Sequence, residues 1–404
     1  MSDDAAPPRL PSHAPKLGDR SLFPKLRASV YANHAGVSPA SVAVTSAVRQ
    51  LCDDYEERGV GAVGSWVRQR LRLRGKLATL VGARAADIAL VPNTTRGVVD
   101  IALCLPWRAG ERVVTFAGEF PANVTPWQRA AELFGLELVM LPADEHRVAP
   151  EAALERLLGE LRRGVRLVAV SAVEFQTGFR MPTGELAAHC HAHGAELFVD
   201  AVQACGIVPL DVGADGIDYL ACGGHKWLMG LEGAGFLYAR PECALALRPV
   251  VAGWLSHEDA LGFLFRGPGL LRYDRPLRRS IDFVESGNTN GVGFAALEAS
   301  LDLLLALGVP AIHAHVSSYL DALEAGLRER GFASLRSPEP ARRGGALGVT
   351  PPPGTSVVDL HAALVESGIA CAVPDGVLRF SPHWPNALDE VPVVLAAVDA
   401  ALRR

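Results

Sequence analysis

The stretches ELFVDAVQACG (residues 196–206) and ACGGHKWLMG (residues 221–230) decide how this chain folds. The first opens with a short apolar run that stops on Asp200, which reads as a strand buried on both faces whose carboxyl end carries a carboxylate. Open α/β sheets bind ligands at that end. A carboxylate there needs a cationic partner, because an unpaired buried charge is costly. The second stretch sets Lys226 between Gly223-Gly224-His225 and the apolar Trp227-Leu228-Met229. Two glycines let the backbone approach a ligand closely, and a lysine so placed is not an ordinary solvated surface charge.

Outward from these stretches, short β-rich runs alternate with helix-patterned segments between about residues 41 and 240, the pattern of parallel strands joined by crossover helices. Strands are expected at 88–91, 112–116, 137–141, 166–173, 196–200 and 235–238. After residue 291 the pattern changes to an amphipathic helix over 294–307, further helix to about 331, and then short strands and helices. The expectation is an α/β protein in three parts: a flexible tail (1–28), a large ligand-binding α/β domain with a mainly parallel sheet (29–290), and a smaller α+β domain (291–404). The Pro/Gly-rich stretch 342–354 is expected to be a surface loop.

With 404 residues, 49% of them hydrophobic, the chain can bury a large core. A net charge of −5 without a long basic run argues against nucleic acid as a partner. Seven cysteines, odd in number and without a CxxC pair, suit reduced thiols. No secretory-type apolar core and no run of ~18 apolar residues occurs, so no membrane association and a cytoplasmic location are expected.

A lysine amine and a strand-end carboxylate are what an enzyme needs to hold pyridoxal 5'-phosphate covalently. Lys226 supplies the amine that bonds the aldehyde, and Asp200 the counter-charge that keeps the pyridine nitrogen protonated and the ring an electron sink. Asp200 as a helix cap, or Lys226 as a structural lysine in a glycine turn, are the plainer alternatives. Asn93-Thr94-Thr95-Arg96-Gly97 follows a strand and opens a helix, so Thr94 and Thr95 form a plausible phosphate cup, or Thr is simply the N-cap. His225 can donate to the phosphate, Gln203 can reach the ring's phenolic oxygen, and Phe120 can stack on the ring. Arg379, alone in an apolar strand pattern, suits a two-pronged grip on a substrate carboxylate, or a structural ion pair. His189, His191 and His193 lack further ligands at metal-site spacing, so no metal is expected.

Taken in order, Tyr31-Ala32-Asn33-His34-Ala35-Gly36, the Thr94-Thr95 cup, the loop from Glu119 to Trp127, VDAVQ, GGHKWL, ESGNTN and LRFSPHWPN resemble the class V aminotransferase family. This is the branch of fold-type-I pyridoxal phosphate enzymes that includes cysteine desulfurases, kynureninases and isopenicillin-N-epimerase-like proteins. The resemblance implies a large domain with a seven-stranded type of sheet. It also implies Lys226 and Asp200 as catalytic residues, Thr95 and His225 on the phosphate, Gln203 on the phenolic oxygen and Arg379 on the substrate carboxylate, with Asn33 and His34 also near the substrate. It implies a homodimer with the active site between subunits, in which Gly287-Asn288-Thr289-Asn290 closes over the partner's phosphate.

Departures from the family pattern narrow the chemistry. Phe120 stands where desulfurases usually present a histidine, Gly223 where they present a serine, Asn288 replaces a threonine, and Glu174 stands where an amide is commoner. Cys371 lies eight residues before Arg379, closer than a sulfur-accepting cysteine should. Transamination of a small amino acid is therefore expected slightly ahead of β-elimination at a C–S bond or desulfuration, with kynureninase-like hydrolysis and epimerisation behind. A dinucleotide-binding oxidoreductase is disfavoured because the first strand-to-helix turn lacks GxGxxG. A non-catalytic cofactor binder would have no use for both Lys226 and Arg379.

Overall fold

The structure, a computed structural model, describes residues 14–403. Its centre is a seven-stranded sheet of β1 (Ile88–Val91), β2 (Arg112–Ala117), β3 (Glu137–Pro142), β4 (Leu167–Ser171), β5 (Glu196–Asp200), β6 (Tyr219–Gly223) and β7 (Gly235–Ala239), in the spatial order β1-β7-β6-β5-β4-β2-β3. Only β7 runs against its neighbours, so the sheet is mainly parallel, as expected. Six strands fall where the sequence places them, with ends shifted by a few residues. The seventh, β6, is not among the strands expected from the sequence: Tyr-Leu-Ala-Cys-Gly has no β-branched residue, only Tyr219 favours a strand, and it runs straight into the glycine turn, so the local signal is weak.

Helices cover the sheet on both sides, and they position the site. Helix α3 (Thr94–Cys104) lies so close to β6 that a Cβ on Gly97 would sit 2.8 Å from the Ala221 Cβ. Helices α1 (Val42–Arg58) and α2 (Val63–Val81) pack against α4 (Gly291–Leu307), where Arg72 and Lys76 both pair with the buried Glu298. Helix α5 (Val309–Glu329) continues from α4 after a sharp bend at Gly308. No single helix among the described residues is long and apolar enough to cross a membrane.

Beyond α5, β8 (Ala333–Ser334), β9 (Leu347–Thr350) and β10 (Leu378–Phe380) form a small antiparallel sheet with β9 in the middle. This corrects the reading of 342–354 as a surface loop. Gly344, Gly345 and Gly348 serve close packing: a Cβ on Gly345 would meet Ile207 Cγ1 at 2.3 Å and the Trp227 ring at 2.9 Å.

Two further differences concern the N-terminal segment. Residues 1–13 of the expected tail lie outside the described residues, but the remainder is packed: Leu22 and Phe23 are buried, Phe23 against the Trp384 ring at 5.5 Å, and Arg20 donates to three backbone carbonyls. The short strand Val30–Tyr31, expected to begin the large domain, pairs in parallel with Ile369–Ala370 among the C-terminal elements.

Candidate active site

Asp200 ends β5, as the apolar run before it requires, and is buried. Its Oδ1 accepts from Val202 N at 2.9 Å. Burial pushes this carboxyl up to about 6, while the Val202 hydrogen bond and the nearby Lys226 charge pull the other way. Lys226 follows β6 in an irregular turn and is half-buried. Desolvation lowers its amine below the ordinary lysine range, with Asp200 raising it and Arg379 lowering it further. The two residues singled out in the sequence are thus electrostatic neighbours.

Phe120 sits in the loop after β2 with its ring 5.3 Å from Lys226 Nζ and edge-on to Phe175 at 5.5 Å. It is 45% exposed. The preceding Glu119 was quoted in the sequence only as part of the loop. Its carboxylate accepts from Ser171 N at 2.6 Å, from the Ser171 hydroxyl and from Asn123 Nδ2 at 3.2 Å. Burial raises it to about 7, against the pull of those hydrogen bonds. Because Ser171 is the register partner of Asp200, this contact fixes the base of the Phe120 loop beside the Asp200 strand end.

Thr94 and His225 converge on Gly223. The Thr94 hydroxyl accepts from Gly223 N at 2.9 Å. A Cβ on Gly223 would lie 3.2 Å from His225 Nδ1 and 3.3 Å from Thr94 Oγ1, so a side chain there would crowd both. The helix cap is Asn93, whose Oδ1 accepts from Arg96 N at 2.8 Å, so the Thr N-cap alternative falls away. Thr95, second in α3, is exposed at the helix N-terminus, where free N–H groups favour an anion. Burial lowers the His225 imidazole below its usual range.

Gln203 is buried with both ends of its amide engaged: Nε2 donates to Ala35 O at 3.2 Å and Oε1 accepts from Trp227 Nε1 at 2.7 Å. Arg379, in the middle of β10, is also buried and its guanidinium is lowered to about 10 by desolvation. Its Nη1 donates to Phe175 O at 2.5 Å, while its buried Nε has no partner. Among the described residues it forms no ion pair, which removes the structural alternative.

Four further expected site residues, Asn33, His34, Asn288 and Thr289, make other contacts in the single chain. His34 is buried, its Nδ1 2.7 Å from Ser38 Oγ and its ring edge-on to His383, so it is not presented to a substrate. Asn33 bridges to Ser381 and keeps a buried Oδ1 without a partner. Asn288 and Thr289 line a separate cavity with Arg96, Asp100 and Gly233, where Thr289 Oγ1 is buried without a partner. Cys371 is buried and its thiol is pushed up to about 12. Sequence reasoning also missed Ser38 and His383, which contact the Lys226 segment. The only signal for His383 was its membership of LRFSPHWPN around Arg379, and Ser38, two residues beyond the Tyr31–Gly36 stretch, had none.

These residues fit pyridoxal phosphate. The deprotonation-prone amine, the strand-end carboxylate that burial disfavours without a cation, and a helix N-terminus beside a histidine match the aldehyde, ring nitrogen and phosphate in kind. The comparisons agree. The family model for aminotransferase class-V matches residues 30–377. The chain is 27% identical to the uncharacterized aminotransferase YcbU of Bacillus subtilis (strain 168), covering 92% of this chain and 94% of that one. It is 30% identical to a cysteine desulfurase of Dickeya dadantii (strain 3937), covering 90% and 89% respectively. Among solved structures, the cystine C-S lyase C-DES in complex with its reaction product cysteine persulfide superposes with a TM-score of 0.82 at 22% identity, covering 91% of this chain and 96% of that one. The chain belongs to the class V aminotransferase family, and pyridoxal phosphate is its cofactor.

Proposed function

We propose that this enzyme cleaves the Cβ–S bond of a small sulfur-containing amino acid, with Lys226 as the proton-transferring base and without a sulfur-accepting cysteine. When bound, pyridoxal phosphate supplies an electron sink for the pair left at the substrate Cα. Asp200 holds the ring nitrogen protonated, Thr95 and His225 hold the phosphate, and Phe120 covers the ring. Gln203 would have to turn one end of its amide from Ala35 or Trp227 to reach the phenolic oxygen. The free Nε edge of Arg379 takes the substrate carboxylate, so that the Cα proton faces Lys226.

The observation that carries this reading is the pairing of Lys226 with Phe120. A phenylalanine stacks but moves no proton, so both taking the Cα proton and passing one to the departing sulfur fall to the lysine. The buried, high-pKa Cys371 argues against a persulfide relay through that residue. The similarity to a cysteine desulfurase favours C–S chemistry over the transamination expected first. Transamination remains the second reading, favoured by the similarity to YcbU, because it begins with the same deprotonation. Incubating the yellow enzyme with cysteine and cystine separates them: pyruvate with released sulfur supports cleavage, whereas a keto acid with aminated cofactor supports transamination.

The same reading takes the enzyme as a homodimer. Tyr273, Leu271, Phe265 and Leu264 are exposed on one segment, and Tyr55, Val60 and Leu71 on α1, α2 and the turn between them. In the dimer, Asn288 and Thr289 would reach the partner's phosphate. Sedimentation velocity tests the assembly, and a monomer that turns over would exclude a shared site.

A further inference from the structure

The lysine sits in a segment without regular secondary structure, yet four successive carbonyls there are each met by a donor from another part of the chain. His225 O accepts from Ser38 N at 2.9 Å, and Lys226 O from Ser38 Oγ at 2.6 Å. Trp227 O faces His383 Nε2 at 2.8 Å, and Leu228 O accepts from Ser300 Oγ at 2.6 Å. Trp227 and Leu228 are buried, and a buried carbonyl left without a partner costs about as much as a lost hydrogen bond. The donors come from the N-terminal segment, from α4 and from the loop after β10.

Proton inventory fixes the direction of each contact. The single Ser38 hydroxyl proton goes to Lys226 O, since a carbonyl cannot donate. Its other neighbour, His34 Nδ1, must therefore carry a hydrogen and donate to Ser38 Oγ. At His383, Trp384 N donates into Nδ1 at 2.7 Å, so the ring hydrogen is on Nε2 and points at Trp227 O. Burial lowers both imidazoles below the usual range, which keeps these neutral tautomers in place.

We propose that Ser38 and His383 are positioning residues that hold the backbone of Lys226 and, through His383, set the distance between the Lys226 amine and Arg379. His383 lies four residues after Arg379 on the same stretch of chain. Its bond to Trp227 O joins the element carrying the carboxylate clamp to the residue next to the reactive lysine. His34 acts one step further out, by orienting the Ser38 hydroxyl. The proposal rests on Lys226 carrying the cofactor, but the clamp itself acts on the protein backbone.

The test compares Ser38→Ala with Ser38→Thr, and His383→Leu with His383→Gln, because the second member of each pair keeps a donor. Hydrogen exchange of the Met229 and Gly230 amides, read on the full-length chain with and without cofactor, needs no turnover. Exchange should be roughly tenfold faster in Ser38→Ala and His383→Leu and near wild type in the donor-keeping variants. In the holoenzyme, the pH midpoint of the absorbance of the lysine-bound cofactor should shift. The kcat should fall about tenfold or more with a smaller change in KM, since a misplacement of about an ångström costs up to a hundredfold. Unchanged exchange and spectra in Ser38→Ala and His383→Leu would overturn the proposal, and so would equal losses in both members of each pair. If one pair does not fold, the other decides, and Ser300→Ala against Ser300→Thr gives a third. A wild-type chain that binds no cofactor but shows the exchange pattern would sink the cofactor assignment and leave the clamp standing.

Discussion

The Lys226 amine lies 5.3 Å from the centroid of the Phe120 ring. A ring at that distance covers a planar ligand bonded to the lysine but exchanges no proton with it. Phe120→Leu should therefore weaken cofactor retention severalfold, measured by dialysis or competition, while leaving the pH dependence of kcat where it was. Phe120→His should add a new ionisation to that profile. A Leu variant that holds the cofactor as tightly as wild type would show that the ring does not stack.

Lys226→Ala should abolish turnover, and borohydride should no longer fix the cofactor to the chain. In the wild type, peptide mapping after reduction should find the label on Lys226. A label on Lys76 or Lys25 instead would mean that the glycine-flanked lysine is structural.

Asp200 gives a prediction with opposite signs for the empty and the loaded protein. Its carboxyl is raised to about 6 by burial, so the folded chain binds a proton more tightly than the unfolded chain does. That contribution favours folding below the ordinary carboxylate range and is lost as pH rises from about 4 to 6. Without cofactor, Asp200→Asn should stabilise the chain at pH 7 by on the order of 2 kcal/mol and flatten the fall in melting temperature across that window. With cofactor, the same substitution removes the counter-charge of the ring nitrogen and should slow turnover about a hundredfold, ~3 kcal/mol of transition-state stabilisation. Near wild-type turnover would mean that a different carboxylate serves the ring.

Arg379 offers an unpartnered Nε beside an Nη1 already committed to Phe175 O. Arg379→Lys keeps a charge but loses the planar pair of donors, so KM for carboxylate-bearing substrates should rise tenfold or more with a smaller effect on kcat. Equal turnover of amines lacking the carboxylate by the wild type would contradict this grip.

Cys371 is held in its thiol form by burial, with a pKa near 12, so almost no thiolate exists at neutral pH. Cys371→Ser should change activity less than twofold. Loss of activity, together with a persulfide trapped on Cys371 after incubation with cysteine, would make the enzyme a desulfurase that relays sulfur.

The sequence by itself determined the chemistry at the sheet's carboxyl edge. Asp200 at the end of an apolar run and Lys226 behind two glycines were legible because each violates the local rule that charge avoids burial, and only a ligand or partner relieves the violation. The parallel strands were legible because strands covered on both faces read as continuous apolar runs. Where local signals were weak, only tertiary structure decided. β6 has one strand-forming residue, Tyr219, and exists because β5 and β7 flank it. The 342–354 glycines read as loop, yet Gly345 is there to admit Ile207 and Trp227, which are distant in the chain. His34 looked like a substrate contact by its motif, but its place was set by Ser38, His383 and the carbonyl of Lys226, 192 positions further along the chain. Such a hydrogen bond leaves no periodicity in the sequence, because what it satisfies is a backbone group that every residue carries.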